Sequence, residues 1–275
     1  MSEIVFSEPK YDTDRKPIKK LGCAWWIMSV PLIVYIILPV LALLLSTSPR
    51  ELLENIKQPE VYEAIYISLK TSTAAAGITV IFGIPIAYLM ARKEFRFKRL
   101  VDSALDLPIV LPPAVAGLAL LMVYGRRGLI GGWLDSVGLQ IAFTPVAVIM
   151  AMIFISAPLF IKSAAIGFGN IEPELEQAAS LDGASPWYIF RTITLPLSRV
   201  ALLGGLVLTW TRALGEFGAT IIFAGNFPGI TQTMPLAIYL GFELDMEIAI
   251  TLSVILILIS FFTLVLLKGF FLEKD

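Results

Sequence analysis

The chain has 275 residues, of which 57% are hydrophobic and 16% charged, with no histidine and one cysteine. A mean hydropathy of +0.82 is more apolar surface than one soluble domain can bury, so the bilayer is the expected solvent. The missing histidine excludes a histidine general base or metal ligand, the lone Cys23 excludes an internal disulfide, and a net charge of −1 names no partner by itself.

A spanning helix needs about 20 mostly apolar residues. The first such run is Ala24 to Ser46, preceded by a polar tail carrying Lys10, Arg15, Lys16, Lys19 and Lys20. The run is too long and too late for a signal peptide, so it reads as a retained helix. The second run is Tyr62 to Ala91, followed at once by Arg92, Lys93, Arg96, Lys98 and Arg99. Lys70 falls inside it and is expected to snorkel toward the outer surface. The third, Val101 to Gly125, contains Pro108, Pro112 and Pro113 near its start. Those prolines remove helical hydrogen bonds, giving either a static kink or a flexing gate. A turn-rich loop, Arg126 to Gln140, precedes a fourth run from Phe143 to Phe168. A polar segment, 170–196, leads to a fifth run, Val200 to Phe223, and a sixth from Ile248 to Phe271. Leu236 to Asp245 reads equally as a helical extension or an interfacial stretch.

With the N-terminus inside, fifteen Lys and Arg fall on the inner side, including Lys162, Arg191, Arg199, Lys268 and Lys274, against Arg50, Lys57, Arg126 and Arg127 outside. That bias predicts an all-α, N-in and C-in membrane protein of about six spans. Residues 1–20 form a cytoplasmic tail and 21–275 one transmembrane domain. The basic cluster at 92–99 reads as a topology signal rather than a nucleic-acid site.

The polar segment carries helix signals. Pro173 suits a first helical turn, and Glu172, Glu174 and Glu176 complement the dipole there. Ile171, Leu175, Ala178 and Ala179 share one face, and Gly183 can end the helix. Ser185 and Pro186 then look like the cap and first residue of a second short helix, which Pro196 is expected to stop. The small, acidic helix suits docking of a partner, the alternative being a helix lying on headgroups, which is usually basic. In the fifth run Arg212 and Glu216 stand four apart and so are expected on one helical face, either tying helices together or lining a path. Gly215, Gly218, Ala213 and Ala219 would permit close packing. Glu243, Asp245 and Glu247 read as solvated loop charges.

The spacing Ala178-Ala179, three residues, Gly183, nine residues, Ile193-Thr194-Leu195-Pro196 resembles the EAA signature of ABC-importer permeases. The family's glutamate before the alanine pair is Gln177 here, with Glu176 one place earlier, which leaves the acidic role open. Arg212-Ala-Leu-Gly-Glu-Phe-Gly-Ala-Thr220, Ala224-Gly-Asn226 and Thr231-Gln-Thr-Met-Pro-Leu-Ala-Ile-Tyr239 are similar to the molybdate/tungstate permease branch, with sulfate permeases close by. Leu107-Pro108, Leu111-Pro112-Pro113, Gly117 and the stretch from Gly83 to Ala91 extend the likeness over roughly 60–240. The resemblance implies a multi-pass plasma-membrane permease whose 170–196 loop is a coupling helix. Glu176, Gln177, Ala178, Ala179, Gly183, Ile193, Leu195 and Pro196 would form the ATPase-docking segment. It implies a homodimer, two ATP-binding subunits that hold the ATP and magnesium, and an external oxyanion-binding protein. No cofactor or metal is expected in this chain, which lacks a Gly-x-x-x-x-Gly-Lys-Ser/Thr phosphate loop. A stand-alone secondary transporter would show internal repeats and ion-coupling acids, and none are evident beyond Glu216. A membrane-embedded enzyme would need a cluster of catalytic groups within the spans.

Overall fold

The structure, a computed structural model, describes residues 19–272. The expected tail lies outside them up to residue 18, as does Lys274, and the side chains of Lys19, Lys20 and Lys268 are likewise outside. Every regular element among the described residues is helical. Contacts divide the chain after Ser46 into two compact units. The first carries α1 (Lys19–Leu45), with Pro31 and Pro39 inside it. From Trp25 onward its side chains are almost all solvent- or lipid-accessible, Trp25 and Trp26 among them.

The second unit begins with α2 (Pro49–Asn55), held by a reciprocal capping box between Ser48 and Glu51. Then come α3 (Pro59–Arg92), α4 (Lys98–Val110), α5 (Pro113–Tyr124), α6 (Gly131–Ser136) and α7 (Pro145–Gly169). They are followed by α8 (Pro173–Leu181), α9 (Pro186–Ile189), a π turn (Phe190–Thr194) and α10 (Leu195–Leu197). The unit ends with α11 (Arg199–Leu214), α12 (Gly218–Phe223), α13 (Met234–Leu244) and α14 (Met246–Leu272). Proline stands in the first turn of α2, α3, α5, α7, α8, α9 and α13. There its missing N–H is one that no helix would have paired, so proline starts these helices instead of breaking them.

Four helices are long and apolar enough to cross a membrane, α1, α3, α7 and α14, and up to six spans result if each of two bent pairs counts as one. The expected third span is one of these pairs: α4 and α5 meet at 115°. The correction has a plain cause. Pro112 and Pro113 in succession force Leu111 out of the helical region, where it has φ −65° and ψ 136°. Pro113 then opens α5, while Pro108 stays inside α4.

The fifth run is likewise not one helix. α11 ends at Leu214, and α12 restarts at Gly218 after a three-residue break. The ambiguous 236–245 stretch is helical within α13, packed on α14 and α3. Asp245 is not a free loop charge: its Oδ1 accepts the amides of Glu247 and Ile248 and so caps α14.

α7 is the axis of the unit and packs against α3, α11, α4, α5 and α12. One core joins Ala75, Ala116, Val148, Ala151, Met152, Ala213, Ala219 and Phe223. Small residues bring backbones together. A Cβ on Gly117 would stand 2.6 Å from the Ala219 carbonyl oxygen, and one on Gly218 would stand 2.7 Å from Pro113 Cβ. α5 and α12 therefore touch backbone to backbone, as small-residue membrane interfaces do. Gly117→Ala is expected to destabilise the unit by roughly 1–3 kcal/mol through overpacking. The control Gly77→Ala meets nothing within 4 Å and should be neutral or slightly favourable. Thermal unfolding of the two variants in detergent checks the contrast.

Candidate functional site

The C-terminal ends of α3 and α7 lie at one end of the unit with α8 and the π turn. Four groups meet there. Arg92 Nη2, at the last residue of α3, donates to the Ile171 carbonyl at 3.0 Å and to Glu176 Oε1 at 3.2 Å. Buried Thr194 donates its hydroxyl to the same Glu176 oxygen at 2.6 Å. The Arg92 and Glu176 side chains are 14% and 17% exposed, which places this ion pair where removal of one partner is costly. Glu176 therefore ties α8 to α3 and to the π turn. An aromatic trio reinforces the joint: Tyr88 stands edge-on to Phe168 at 5.8 Å and to Phe190 at 5.4 Å.

The expected apolar face of α8 divides. Ile171 is buried just ahead of the helix, but Leu175 is 45% exposed, Leu181 is 89% exposed, and Ala178 and Gln177 are exposed as well. This chain thus leaves apolar side chains of α8 uncovered. Gly183 follows α8 with φ +86° and open space where a Cβ would be. Its requirement is conformational and not steric. Ser185 accepts the Tyr188 amide and caps α9, as expected.

Pro196 does not stop the second helix. The chain stays helical to Leu197, and the 70° bend to α11 comes at Ser198. Pro196 cannot donate back along the helix, and the ladder shifts to i→i−5 bonds, Leu195 donating to Phe190. Ile193 and Leu195 lie in or next to this π turn, near Thr194.

The second constellation is Arg212 with Glu216. They do not share a helical face, because the break after Leu214 separates them, but they meet: Arg212 Nη1 donates to Glu216 Oε2 at 2.7 Å. The other carboxylate oxygen accepts the Ala219 amide in the first turn of α12 at 2.9 Å. Glu216 is 1% exposed and Arg212 37%. The carboxylate thus neutralises a cation and caps a helix at once.

A third cluster went unnoticed in the sequence. Lys162 of α7 donates to Asp102 and, at 3.1 Å, to Asp106 of α4. Two aspartates four apart in an otherwise apolar run were the available signal, since they share a face and need a cation across from them. No group of three or more His, Cys, Asp or Glu side chains poised for a metal occurs among the described residues.

Glu176→Gln keeps the shape but weakens the pair with Arg92. Amides of α8 are expected to exchange roughly tenfold or more faster in that variant, as loss of about 1.4 kcal/mol or more of local stability would give. Hydrogen exchange with mass-spectrometric readout measures it, with the amides of α7 as the unaffected reference.

Comparison with known proteins agrees with this architecture. The family described as binding-protein-dependent transport system inner membrane component matches residues 83–274. The molybdenum transport system permease protein ModB of Mycobacterium tuberculosis is 37% identical over 228 residues, covering 83% of this chain and 86% of that one. The probable sulfate transport system permease protein cysT of Mesostigma viride is 39% identical over 251 residues, covering 90% and 93%. A crystal structure of a bacterial ABC transporter involved in alginate import shares the fold, with a TM-score of 0.66 at 17% identity over 91% of this chain and 96% of that one. By sequence, span pattern and fold, the chain belongs to the inner-membrane components of binding-protein-dependent transport systems, as a multi-pass plasma-membrane permease subunit.

Proposed function

We propose that this permease moves a tetrahedral oxyanion, molybdate or tungstate, into the cytoplasm, driven by ATP hydrolysis in a separate subunit. The observation that carries the coupling half of this reading is α8: a short helix with uncovered apolar side chains, fixed to the membrane helices through Glu176. A helix meant to pass on force needs both properties. Its exposed face, with Gln177 and Ala178 and beside the half-buried Ala179, offers a surface to an ATP-binding subunit. Glu176, Thr194 and the π turn carry displacement into α3 and α11. The substrate half rests on likeness: both sequence relatives carry names of oxyanion systems, and the 212–239 strings resemble the molybdate/tungstate branch.

In the full assembly, two copies of this chain would enclose one path, with two ATP-binding subunits at the α8 end and an oxyanion-binding protein at the other. The basic residues at 92–99 support a cytoplasmic α8 end in this reading, N-in and C-in. Differential binding of the two conformations by ATP and by loaded binding protein would drive the switch. The 111–113 corner between α4 and α5 offers a hinge. Arg212 and Glu216 serve best as a helix-pairing element, since both Glu216 oxygens are occupied within the chain. Sulfate is the second reading, prompted by the 39% identity to the Mesostigma viride protein.

The test is ATP-dependent uptake in proteoliposomes containing this chain, its ATP-binding subunit and its binding protein, with labelled molybdate, tungstate and sulfate. Molybdate and tungstate should enter and sulfate should not, and omission of the ATP-binding subunit should abolish uptake. Entry of sulfate alone would move the chain to the sulfate branch, and uptake driven by an ion gradient would sink the importer reading. A second expectation concerns Gly183. A β-branched residue at φ +86° costs on the order of 1–2 kcal/mol, so Gly183→Val should distort the α8–α9 corner and lower uptake per ATP hydrolysed while the complex still assembles. Unchanged stoichiometry in that variant would remove α8 from the docking role.

A further inference from the structure

Of the cations carried inside apolar spans, Lys162 and Arg212 are matched by carboxylates, whereas Lys70 of α3 has no carboxylate within 4.0 Å among the described residues. An uncompensated lysine in a span either reaches the headgroups or faces water. Lys70 is exposed, and its Nζ lies 5.5 Å from the centre of the Tyr66 ring, one turn toward the end of α3 farthest from α8. Tyr62 stacks parallel to Tyr66 at 6.4 Å, so the ammonium and two rings run along one face of the helix. That face is not a bare lipid surface. It forms one wall of a concavity completed by Pro145 and Ile149 at the start of α7 and by Gly229 and Ile230 of the loop between α12 and α13. Glu63 lines the same concavity against Gly229. The site lies roughly 33 Å along α3 from Arg92, at 1.5 Å per residue.

We propose that Lys70 is the receiving cation for the incoming oxyanion at the mouth opposite α8, a site that rests on the oxyanion-importer reading. A dianion leaving its binding protein loses hydration and needs positive charge where the path narrows. Arg212 and Lys162 cannot supply it without giving up their own partners. One ammonium compensates half of a dianion's charge, and Glu63 on the same wall opposes retention, so the anion is attracted but not trapped. Tyr66, beneath the ammonium, holds it out of the hydrocarbon by a cation–π contact.

The experiment uses the complete assembly in proteoliposomes, with Lys70→Arg, Lys70→Met and Lys70→Glu. Uptake and binding-protein-stimulated ATP hydrolysis are both normalised to the amount of reconstituted protein, and labelled molybdate is the probe. Initial uptake should stay within about twofold for the arginine variant. It should fall about tenfold for methionine, near the lower edge of what a focusing charge contributes, and further for glutamate, while stimulated hydrolysis stays near the unmodified rate. Uptake by Lys70→Met equal to that of the unmodified assembly would overturn the proposal and leave the importer reading intact. Parallel loss of hydrolysis and uptake that arginine does not restore would overturn it too, by making Lys70 structural. An unmodified assembly that moves no oxyanion at all would fail the importer reading, and the site with it.

Discussion

The carboxylate of Glu216 is where the central layer of this permease is decided. A helix that stops inside a bilayer exposes backbone groups that cost several kcal/mol each if left bare. α11 stops at Leu214, and the chain must begin again with its amides unpaired. Glu216 accepts one of them, from Ala219, and takes the charge of Arg212 on its other oxygen. With the break satisfied, α12 can lie backbone to backbone against α5 at Gly117 and Gly218. The core formed by α3, α5, α7, α11 and α12 closes around that contact. Remove the carboxylate and the cation, the amide and the close approach lose their support together.

The four long helices are legible because 20-residue apolar runs leave few other readings. The α8–α9 segment was legible for a different reason: Pro173, Gly183, Ser185 and Pro186 are local signals, and local signals are satisfied by local geometry. The break in the fifth run and the sharpness of the corner in the third are not legible, because local sequence there is ambiguous. Proline in an apolar run can kink a helix, start one or turn the chain, and which occurs depends on packing partners far away in sequence. At Pro112–Pro113 the corner is stabilised by α12, more than 100 residues on. At Pro196 the helix continues because a π turn takes up the missing donor, a solution no spacing rule announces. Arg212 and Glu216 were found by the cost of charge in lipid, although their contact crosses a break. Asp102, Asp106 and Lys162 escaped notice because the cation and its acids sit on different spans.

The two ends of the second unit are built by different chemistry. Near α8 the joints are ionic and aromatic: Arg92 with Glu176, and Tyr88 with Phe168 and Phe190. At the other end the 224–233 loop is held by hydroxyls and amides. The Met234 amide donates to buried Ser68 at 2.6 Å, and the Phe227 amide to Thr231. Phe143 takes a positive φ of 63° there and donates its amide to the Phe223 carbonyl. A left-handed phenylalanine is uncommon, and it persists because the loops on both sides of it are fixed.

The π turn at Phe190–Thr194 also sets a clock angle. Each residue of an α-helix advances the side chains by about 100°. One residue added without breaking the hydrogen-bond ladder therefore swings everything before it around the helix axis by about that amount relative to everything after it. The azimuth of α8 and α9 is thereby decoupled from the azimuth of α11. Deleting a single residue from this turn would leave both helices intact and turn the first by about a quarter of a revolution relative to the second.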